Sequence, residues 1–217
     1  MLAADFPDIA MSRVTQFAIG WMRAAFDQSL VIATLASEGL ARAASPNRRC
    51  HAEIVTRLHW LYSTGREDRA AALDALLEYE RESTEKTVGH LSDMGFVSQL
   101  DLSDMRDFAL EPASGGLKNE ARQFLAAAKS TVSSSAGFYY AWREETQYTH
   151  ATGAMAAAYA PEADDDEAHP PIVDPDLRLH TQALFVVVGL TYHLLVEEGV
   201  SLTAAGNIIN TFLRSSA

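Results

Sequence analysis

The segment from Phe138 to Thr152 carries the residue types with the clearest capacity for chemistry. Arg143 and His150 are seven residues apart, and Gln147 lies between them. In a continuous α-helix this spacing leaves the outer two side chains about 20° apart around the axis and about 10.5 Å apart along it. The spacing therefore predicts that all three side chains share one helix face. A guanidinium binds phosphate through paired hydrogen bonds and an imidazole transfers protons near neutral pH, so this face suits phosphoryl chemistry without a metal ion.

The same segment resembles a known family pattern. Its residues Tyr139, Arg143, Thr146, His150 and Thr152 are similar to the Tyr-x-x-x-Arg-x-x-Ser/Thr-x-x-x-His-x-Ser/Thr pattern of a bacterial HEPN-like family, which is a domain of unknown function. The spacing of the arginine and the histidine also resembles the Arg-x(4–6)-His signature of the HEPN superfamily as a whole. Members of that superfamily are helical bundles, and many are metal-independent ribonucleases of toxin–antitoxin and phage-defence systems.

An earlier stretch adds to the resemblance. Residues 48–53, Arg-Arg-Cys-His-Ala-Glu, and the following residues 58–61, Leu-His-Trp-Leu, are similar to the family's helix that bears arginine and glutamate. The resemblance as a whole spans roughly residues 33–196. It implies a HEPN-like four-helix core, a homodimer in which two Arg143/His150 pairs meet, and RNA or a nucleotide as ligand.

The resemblance also implies a role for each residue of the segment. His150 would act as general base or acid toward a ribose 2′-hydroxyl, and Arg143 would stabilise the phosphorane, so that cleavage leaves a cyclic phosphate. Tyr139, Thr146, Gln147 and Glu53 are expected to support this pair. No metal or other cofactor is expected, and a protein antitoxin is a candidate partner in a stress or phage-defence system.

Two acidic residues depart from the pattern of the active family members. Glu144 stands where those members usually have Asn, His or Lys, and Glu145 follows it, so acid lies beside the expected phosphate ligand. Some members of the superfamily are inactive or bind nucleotides. The alternative to a ribonuclease is therefore a non-catalytic helical module that binds a ligand or a partner protein.

Structural interpretations compete with the functional ones. Arg143 could pair with Glu53 inside the protein while His150 bonds to a hydroxyl, fixing how two helices meet. Residues Arg49, Glu53 and Arg57 have the i, i+4 spacing of an ion-pair ladder along one helix.

A metal site is the third interpretation. It involves His180, His193 and Glu197. His193 and Glu197 are one helical turn apart and could chelate a metal together, with His150 as a possible third ligand. No second unit of this kind occurs in the sequence, which argues against a di-iron bundle. The expectation is therefore that the protein holds no metal.

Composition limits the remaining functions. The chain has 17 Lys+Arg against 29 Asp+Glu and a formal charge of -12, which argues against binding to DNA and to anionic membranes. The N-terminal residues lack the basic start of a secretory signal, and the longest apolar stretch, 183–196, is shorter than the roughly 20 residues that span a bilayer. The single cysteine, Cys50, fits a reducing compartment, so a cytoplasmic location is expected.

The elements that must position these residues are all predicted to be helices. Apolar residues recur at intervals near 3.6 through most of the chain, and no alternating strand pattern with hairpin dipeptides occurs. The pattern predicts one all-α domain over residues 1–217 with about six to eight helices. The predicted segments are 10–43, 46–62, 66–91, a short helix at 102–110, 117–129, 135–159, 177–199 and 201–213. The acidic, proline-rich residues 161–175 are predicted to form a surface loop.

Overall fold

Helices account for the regular structure throughout the part of the chain that can be described. The computed structural model describes residues 1, 6, 9–97, 110–131, 136–158 and 177–215. Within these ranges there are nine α-helices and no strand, which confirms the all-α prediction. The helices are α1 (Arg13–Ser37), α2 (Ser45–Ser63), α3 (Arg69–Asp93), α4 (Gly115–Arg122), α5 (Phe124–Ser130), α6 (Ala136–Thr149), α7 (Gly153–Ala158), α8 (Leu177–Glu197) and α9 (Leu202–Ser215).

Two of the predicted elements lie outside the described residues. The short helix expected at 102–110 falls there except for its last residue, and the acidic loop expected at 161–175 falls there entirely. Short 3-10 helices at Ala41–Ala44 and Arg66–Asp68 lead into α2 and α3.

The ends of the long helices follow from local sequence. At the start of α1, the Ser12 hydroxyl accepts from the backbone N–H of Thr15 while the Thr15 hydroxyl accepts from the backbone N–H of Ser12, which is a capping box. Glycines with positive φ follow α1 and α8: Gly39 has φ 72° and Gly199 has φ 89°. Residues other than glycine adopt this conformation at a cost, so these positions end the helices. Gly199 ends α8 where the sequence pattern predicts, whereas Gly39 ends α1 at Ser37, before the predicted end at residue 43.

The main core lies between α1, α2, α8 and α9. Its fully buried side chains include Met22 of α1, Leu58 of α2, Val187 of α8 and Ile208 of α9. A smaller cluster around Trp60 fills the space between α2, α3, α4 and α5. The apolar stripes that the sequence shows on the long helices therefore face one another.

Buried arginines join helix ends that would otherwise leave backbone carbonyls unpaired. Arg69, at the start of α3, donates to the carbonyl oxygens of Leu61, Tyr62 and Thr64 at the end of α2, and it pairs with Glu197 near the end of α8. Arg69 is only 3% exposed. Together with a bond to Glu198, these five partners offset the cost of burying the charge, and they tie α2, α3 and α8 together.

The helix predicted over 135–159 is interrupted, and this part of the prediction is wrong. The chain leaves the helical conformation after Thr149, and α7 begins only at Gly153. The Thr152 hydroxyl donates to the carbonyl oxygen of Gln147 and accepts from the backbone N–H of Met155, at distances of 2.5 and 3.1 Å. A threonine that bonds the backbone on both sides stabilises a helix end over a continuous helix.

Helix α8 has 21 residues and is longer than the apolar stretch 183–196 that it contains. Among the described helices it alone has the length and composition that could cross a bilayer, and 33% of its most apolar window is buried within the protein. Its inner side, with Val187, Thr191 and Leu194, lies in the main core. Its outer side carries apolar residues as well, of which Phe185 is 57% exposed.

Candidate functional site

Helix α6 is held against α2 by a carboxylate that faces into the protein. Arg48 donates from Nε to Oε1 of Glu145 at 2.7 Å and from Nη2 to Oε2 at 3.0 Å, and the Ser45 hydroxyl donates to Oε2 at 2.6 Å. A further bond joins Nη1 of Arg48 to the carbonyl oxygen of Ala41. The two charged side chains are 11% and 15% exposed. This paired, largely buried arrangement fixes the rotation of α6 about its axis.

An aromatic residue makes the second contact between the two helices. The indole Nε1 of Trp142 donates to Oε2 of Glu53 at 3.1 Å, and the guanidinium of Arg49 lies over the Trp142 ring at 5.1 Å. Trp142 also stacks on Tyr139, with ring centroids 5.9 Å apart. Glu53 therefore supports α6 through Trp142 and not through Arg143.

The residues that the sequence predicts to carry chemistry, Arg143, Gln147 and His150, are not on the side of α6 that is bonded to α2. Arg143, Gln147 and His150 are all exposed. No hydrogen bond, ion pair or cation–π contact joins any of their side chains to another residue in the described ranges. Arg143 and Gln147 thus face solvent on α6, and His150 is exposed just beyond the last residue of that helix.

Thr146 and Tyr139, which the sequence also predicts to support the site, form no hydrogen bond to Arg143 or His150. The Thr146 hydroxyl donates to the carbonyl oxygen of Trp142 at 2.6 Å, within α6 itself. Tyr139 is half-buried among aromatic rings, including Phe124 at 6.0 Å. Both residues therefore serve the packing of α6 rather than direct contact with a ligand at Arg143.

The two acidic residues beside Arg143 have different surroundings. Glu145 is turned toward α2 and paired with Arg48, so it lies away from the exposed face. Glu144 stays exposed and accepts a 2.6 Å hydrogen bond from the hydroxyl of Tyr140. This bond to a carboxylate raises the pKa of Tyr140, because it stabilises the protonated phenol. Only one of the two expected acidic neighbours therefore remains near Arg143.

His150 lies just beyond the last residue of α6. The helical spacing that relates Arg143 to Gln147 holds within α6, whereas the position of His150 depends on the turn between α6 and α7. In that turn the backbone N–H of Thr152 donates to the carbonyl oxygen of His150 at 2.7 Å. The pair therefore combines an arginine on α6 with a histidine just beyond the end of that helix.

The structural alternatives drawn from the sequence are not what the structure shows. Arg143 does not pair with Glu53, because it is exposed and Glu53 is bonded by Trp142. The ladder of Arg49, Glu53 and Arg57 is also wrong: Arg57 donates instead to the carbonyl oxygens of Glu120 and Ala121, which end α4, at 3.0 Å each. The side chains of Arg49, Glu53 and Arg57 contact other helices because α4, α5 and α6 lie against those sides of α2.

The metal interpretation of the histidines finds no support in the described residues. Glu197 pairs with Arg69, and the exposed His193 lies beside the ring of Tyr62 at 6.0 Å. No group of three or more His, Cys, Asp or Glu side chains in the described ranges is placed to hold a metal ion.

His180, one of the histidines considered for a metal, instead pairs with His51 between α1, α2 and α8, which the sequence did not predict. The rings of His51 and His180 have centroids 4.3 Å apart, and Nε2 of His180 is 2.8 Å from the Ser29 hydroxyl. Burial, together with the nearby His180, lowers the pKa of His51 to about 3. Burial and the charge of Arg48 also lower the pKa of His180. Spacing could not reveal this pair, because its members are 129 positions apart in the sequence.

The site belongs to an all-α helical bundle, and comparison with known proteins adds no closer assignment. Neither a family model, a curated protein nor a solved structure matches the chain.

Proposed function

We propose that this protein is an HEPN-like helical protein that cleaves RNA without a metal ion, with Arg143 and His150 as its catalytic residues. The observation that carries the proposal is the separation of charges on α6. Glu145 faces inward in an ion pair with Arg48, whereas Arg143 and Gln147 are exposed on α6 and His150 is exposed just beyond its end.

The proposed chemistry uses these two side chains as follows. The ribose 2′-oxygen attacks the adjacent phosphorus, the bond from phosphorus to the 5′-oxygen breaks, and a 2′,3′-cyclic phosphate and a free 5′-hydroxyl result. Arg143 stabilises the negative charge of the phosphorane through its guanidinium donors. His150 takes the proton of the 2′-hydroxyl or supplies one to the 5′-oxygen.

A homodimer is part of this proposal because one histidine can serve only one of the two proton transfers at a time. A second copy that places its own His150 across the same phosphate would supply the other transfer. The exposure of this side of α6 leaves room for such an approach. A partner that blocks this face, such as a protein antitoxin, would inhibit cleavage.

The direct test is RNA cleavage by the purified protein in the presence of EDTA. We expect the wild-type protein to produce fragments that end in a cyclic phosphate. His150→Ala and Arg143→Ala should each reduce the rate by about 100-fold or more, the usual contribution of a general acid or base for His150 and of a donor to the transition state for Arg143. Matched controls are His90→Ala and Arg66→Ala, which replace exposed residues outside α6 and should leave the rate unchanged. Absence of cleavage by the wild type, or full activity of His150→Ala, would refute the catalytic assignment.

One observation favours a second candidate function, a module that binds a nucleotide or another ligand without turnover. Glu144 stays beside Arg143 on the exposed side, and the Tyr140 hydroxyl holds its carboxylate in place. A fixed negative charge there opposes the charge build-up of a phosphorane more than it opposes ligand binding. This candidate predicts no cleavage but a higher melting temperature with a nucleotide, an increase that Arg143→Ala should remove.

A further inference from the structure

The buried histidine pair attaches the start of α8 to two other helices. Nε2 of His180 lies 2.8 Å from the hydroxyl of Ser29 on α1, and the ring of His180 lies 4.3 Å from that of His51 on α2, measured between centroids. His51 is 3% exposed, and its Nε2 has no hydrogen-bond partner among the described residues. We refer to Ser29, His51 and His180 as the histidine anchor.

The start of α8 has few apolar contacts besides this anchor. Among residues 177–186, all of which the structure describes, Ala183 alone is buried. The other buried residues of α8 come later in the helix, and they are Val187, Val188, Leu190, Thr191, Leu194 and Leu195. A segment with few buried side chains opens at a lower free-energy cost than the core does. Residues 177–186 are therefore the part of α8 whose docking depends most on the histidine anchor.

The surroundings of the anchor oppose a positive charge on either histidine. The two rings are in contact, so a proton on one repels a proton on the other. Burial lowers the pKa of both rings, to about 3 for His51, and the charge of Arg48 lowers the pKa of His180 further. His180 is also the fourth residue of α8, where the positive end of the helix dipole disfavours a cation. Both rings are thus neutral at neutral pH while α8 is docked.

Among the described residues, no carboxylate raises the pKa of either histidine. Glu53 and Glu145 take part in the bonds that join α2 to α6, and the exposed Asp27 lies about 200° around α1 from Ser29. The other charged or titratable residues that are close to the anchor in sequence or lie on the adjacent α9 carry no negative charge at neutral pH, and they are Arg48, Arg49, Cys50, Arg178 and Arg214. A proton on the anchor is therefore not stabilised by a counter-charge while α8 is docked.

We infer that the histidine anchor is a pH-sensitive contact: as the pH falls, protonation of His51 and His180 releases residues 177–186 from α1 and α2. The released histidines reach water and bind protons at their ordinary pKa of about 6.5, whereas the docked rings do not. Acid therefore shifts the equilibrium toward the released state. The second half of α8 stays docked through its buried side chains and through the bonds of Arg69 to Glu197 and Glu198. Such a release takes place whether or not the protein cleaves RNA.

Hydrogen exchange followed by mass spectrometry tests the release, once each rate is divided by the intrinsic exchange rate at the same pH. We expect the open-to-docked ratio for the backbone amides of residues 181–186 to increase roughly tenfold to 100-fold between pH 7.5 and pH 5.5, because a histidine with a strongly lowered pKa contributes about tenfold over this range. The ratio for residues 187–195 should increase less, since those residues stay docked.

Variants divide this increase between the groups of the anchor. His180→Gln can still bond Ser29 but cannot bind a proton, and His51→Leu removes the other proton site, so each should reduce the increase by up to about tenfold and the double variant should abolish it. Ser29→Ala should raise the ratio at both pH values but keep the increase, because both histidines remain. His90→Gln, at an exposed position on α3, is the matched control and should respond as the wild type does.

Two results would overturn the inference. Equal increases for residues 181–186 and 187–195 in the wild type would mean that acid opens all of α8 together. A wild-type response in the folded double variant would mean that the two histidines do not control the release. Circular dichroism at both pH values reports whether each variant is folded. If the loss of His51 prevents folding, His180→Gln alone decides, and an undiminished increase in that variant counts against the inference.

Discussion

Adjacent glutamates of α6 illustrate how position on a helix decides the role of a residue. Glu145 faces α2, where Arg48 and Ser45 bond its carboxylate, and Glu144 faces solvent with only Tyr140 as its partner. The sequence alone places both beside Arg143 and suggests two acids that oppose phosphate binding. The direction of Glu145 could not be predicted, because it depends on which side of α6 packs against a helix nearly 100 positions earlier.

This difference predicts that the same substitution lowers the free energy of unfolding by different amounts at the two positions. Glu145→Ala should lower the free energy of unfolding by about 3 kcal/mol, since it leaves Arg48 largely buried without its charge partner. Glu144→Ala, the adjacent control, should change it by less than about 0.5 kcal/mol, as is usual for an exposed position. Urea denaturation followed by circular dichroism measures both values. Similar losses for the two variants would contradict the assigned orientation of α6.

At the scale of elements, the sequence predicted best where one residue dictates local geometry. The start of α2 near Pro46 and the end of α8 before Gly199 follow from backbone rules, and the structure has both within a few residues of the prediction. The interruption after Thr149 was missed, because periodicity continues through the turn and only the bonds of the Thr152 hydroxyl reveal it. Long-range contacts such as that between His51 and His180 carry no periodic signal at all.

Glycines at different places in the helices should respond in opposite ways to the same change. Gly199 has φ 89°, so Gly199→Ala should destabilise the protein by about 1 kcal/mol through the strain of a left-handed alanine. Gly20 lies inside α1 with nothing within 4 Å of an added methyl group, and Gly20→Ala should stabilise the protein by about 0.5–1 kcal/mol. Thermal and urea unfolding provide the comparison. Equal signs for the two changes would show that these helix bounds are wrong.

At the scale of the whole molecule, neutral histidines lie inside a strongly acidic protein. Burial lowers the pKa of His51, His59 and His180 below the ordinary value of 6.5. For such groups the unfolded chain binds protons at mildly acidic pH that the folded protein does not bind. Stability therefore falls as the pH drops below about 6.5, even though the negative net charge decreases at the same time.

The contribution of His51 can be measured by comparing unfolding at pH 7.5 and pH 5.5. Its pKa of about 3 in the folded protein lies below both values, so His51 stays neutral there while the unfolded chain becomes protonated. His51 should thus account for about 1 kcal/mol of the stability lost between these pH values, and His51→Leu should abolish that share. His90→Leu, at an exposed position, serves as control. An identical pH dependence for wild type and His51→Leu would contradict this account.

The contact between α1 and α8, two helices far apart in the sequence, has a consequence for biosynthesis. The hydrogen bond between Ser29 of α1 and His180 of α8 joins residues 151 positions apart. At the usual 5–20 residues per second, a ribosome adds α8 roughly 10–30 s after α1. Throughout that interval the nascent chain carries the apolar side of α1 without its eventual cover. A chaperone that binds exposed apolar segments therefore has the α8-facing side of α1 to bind until α8 docks.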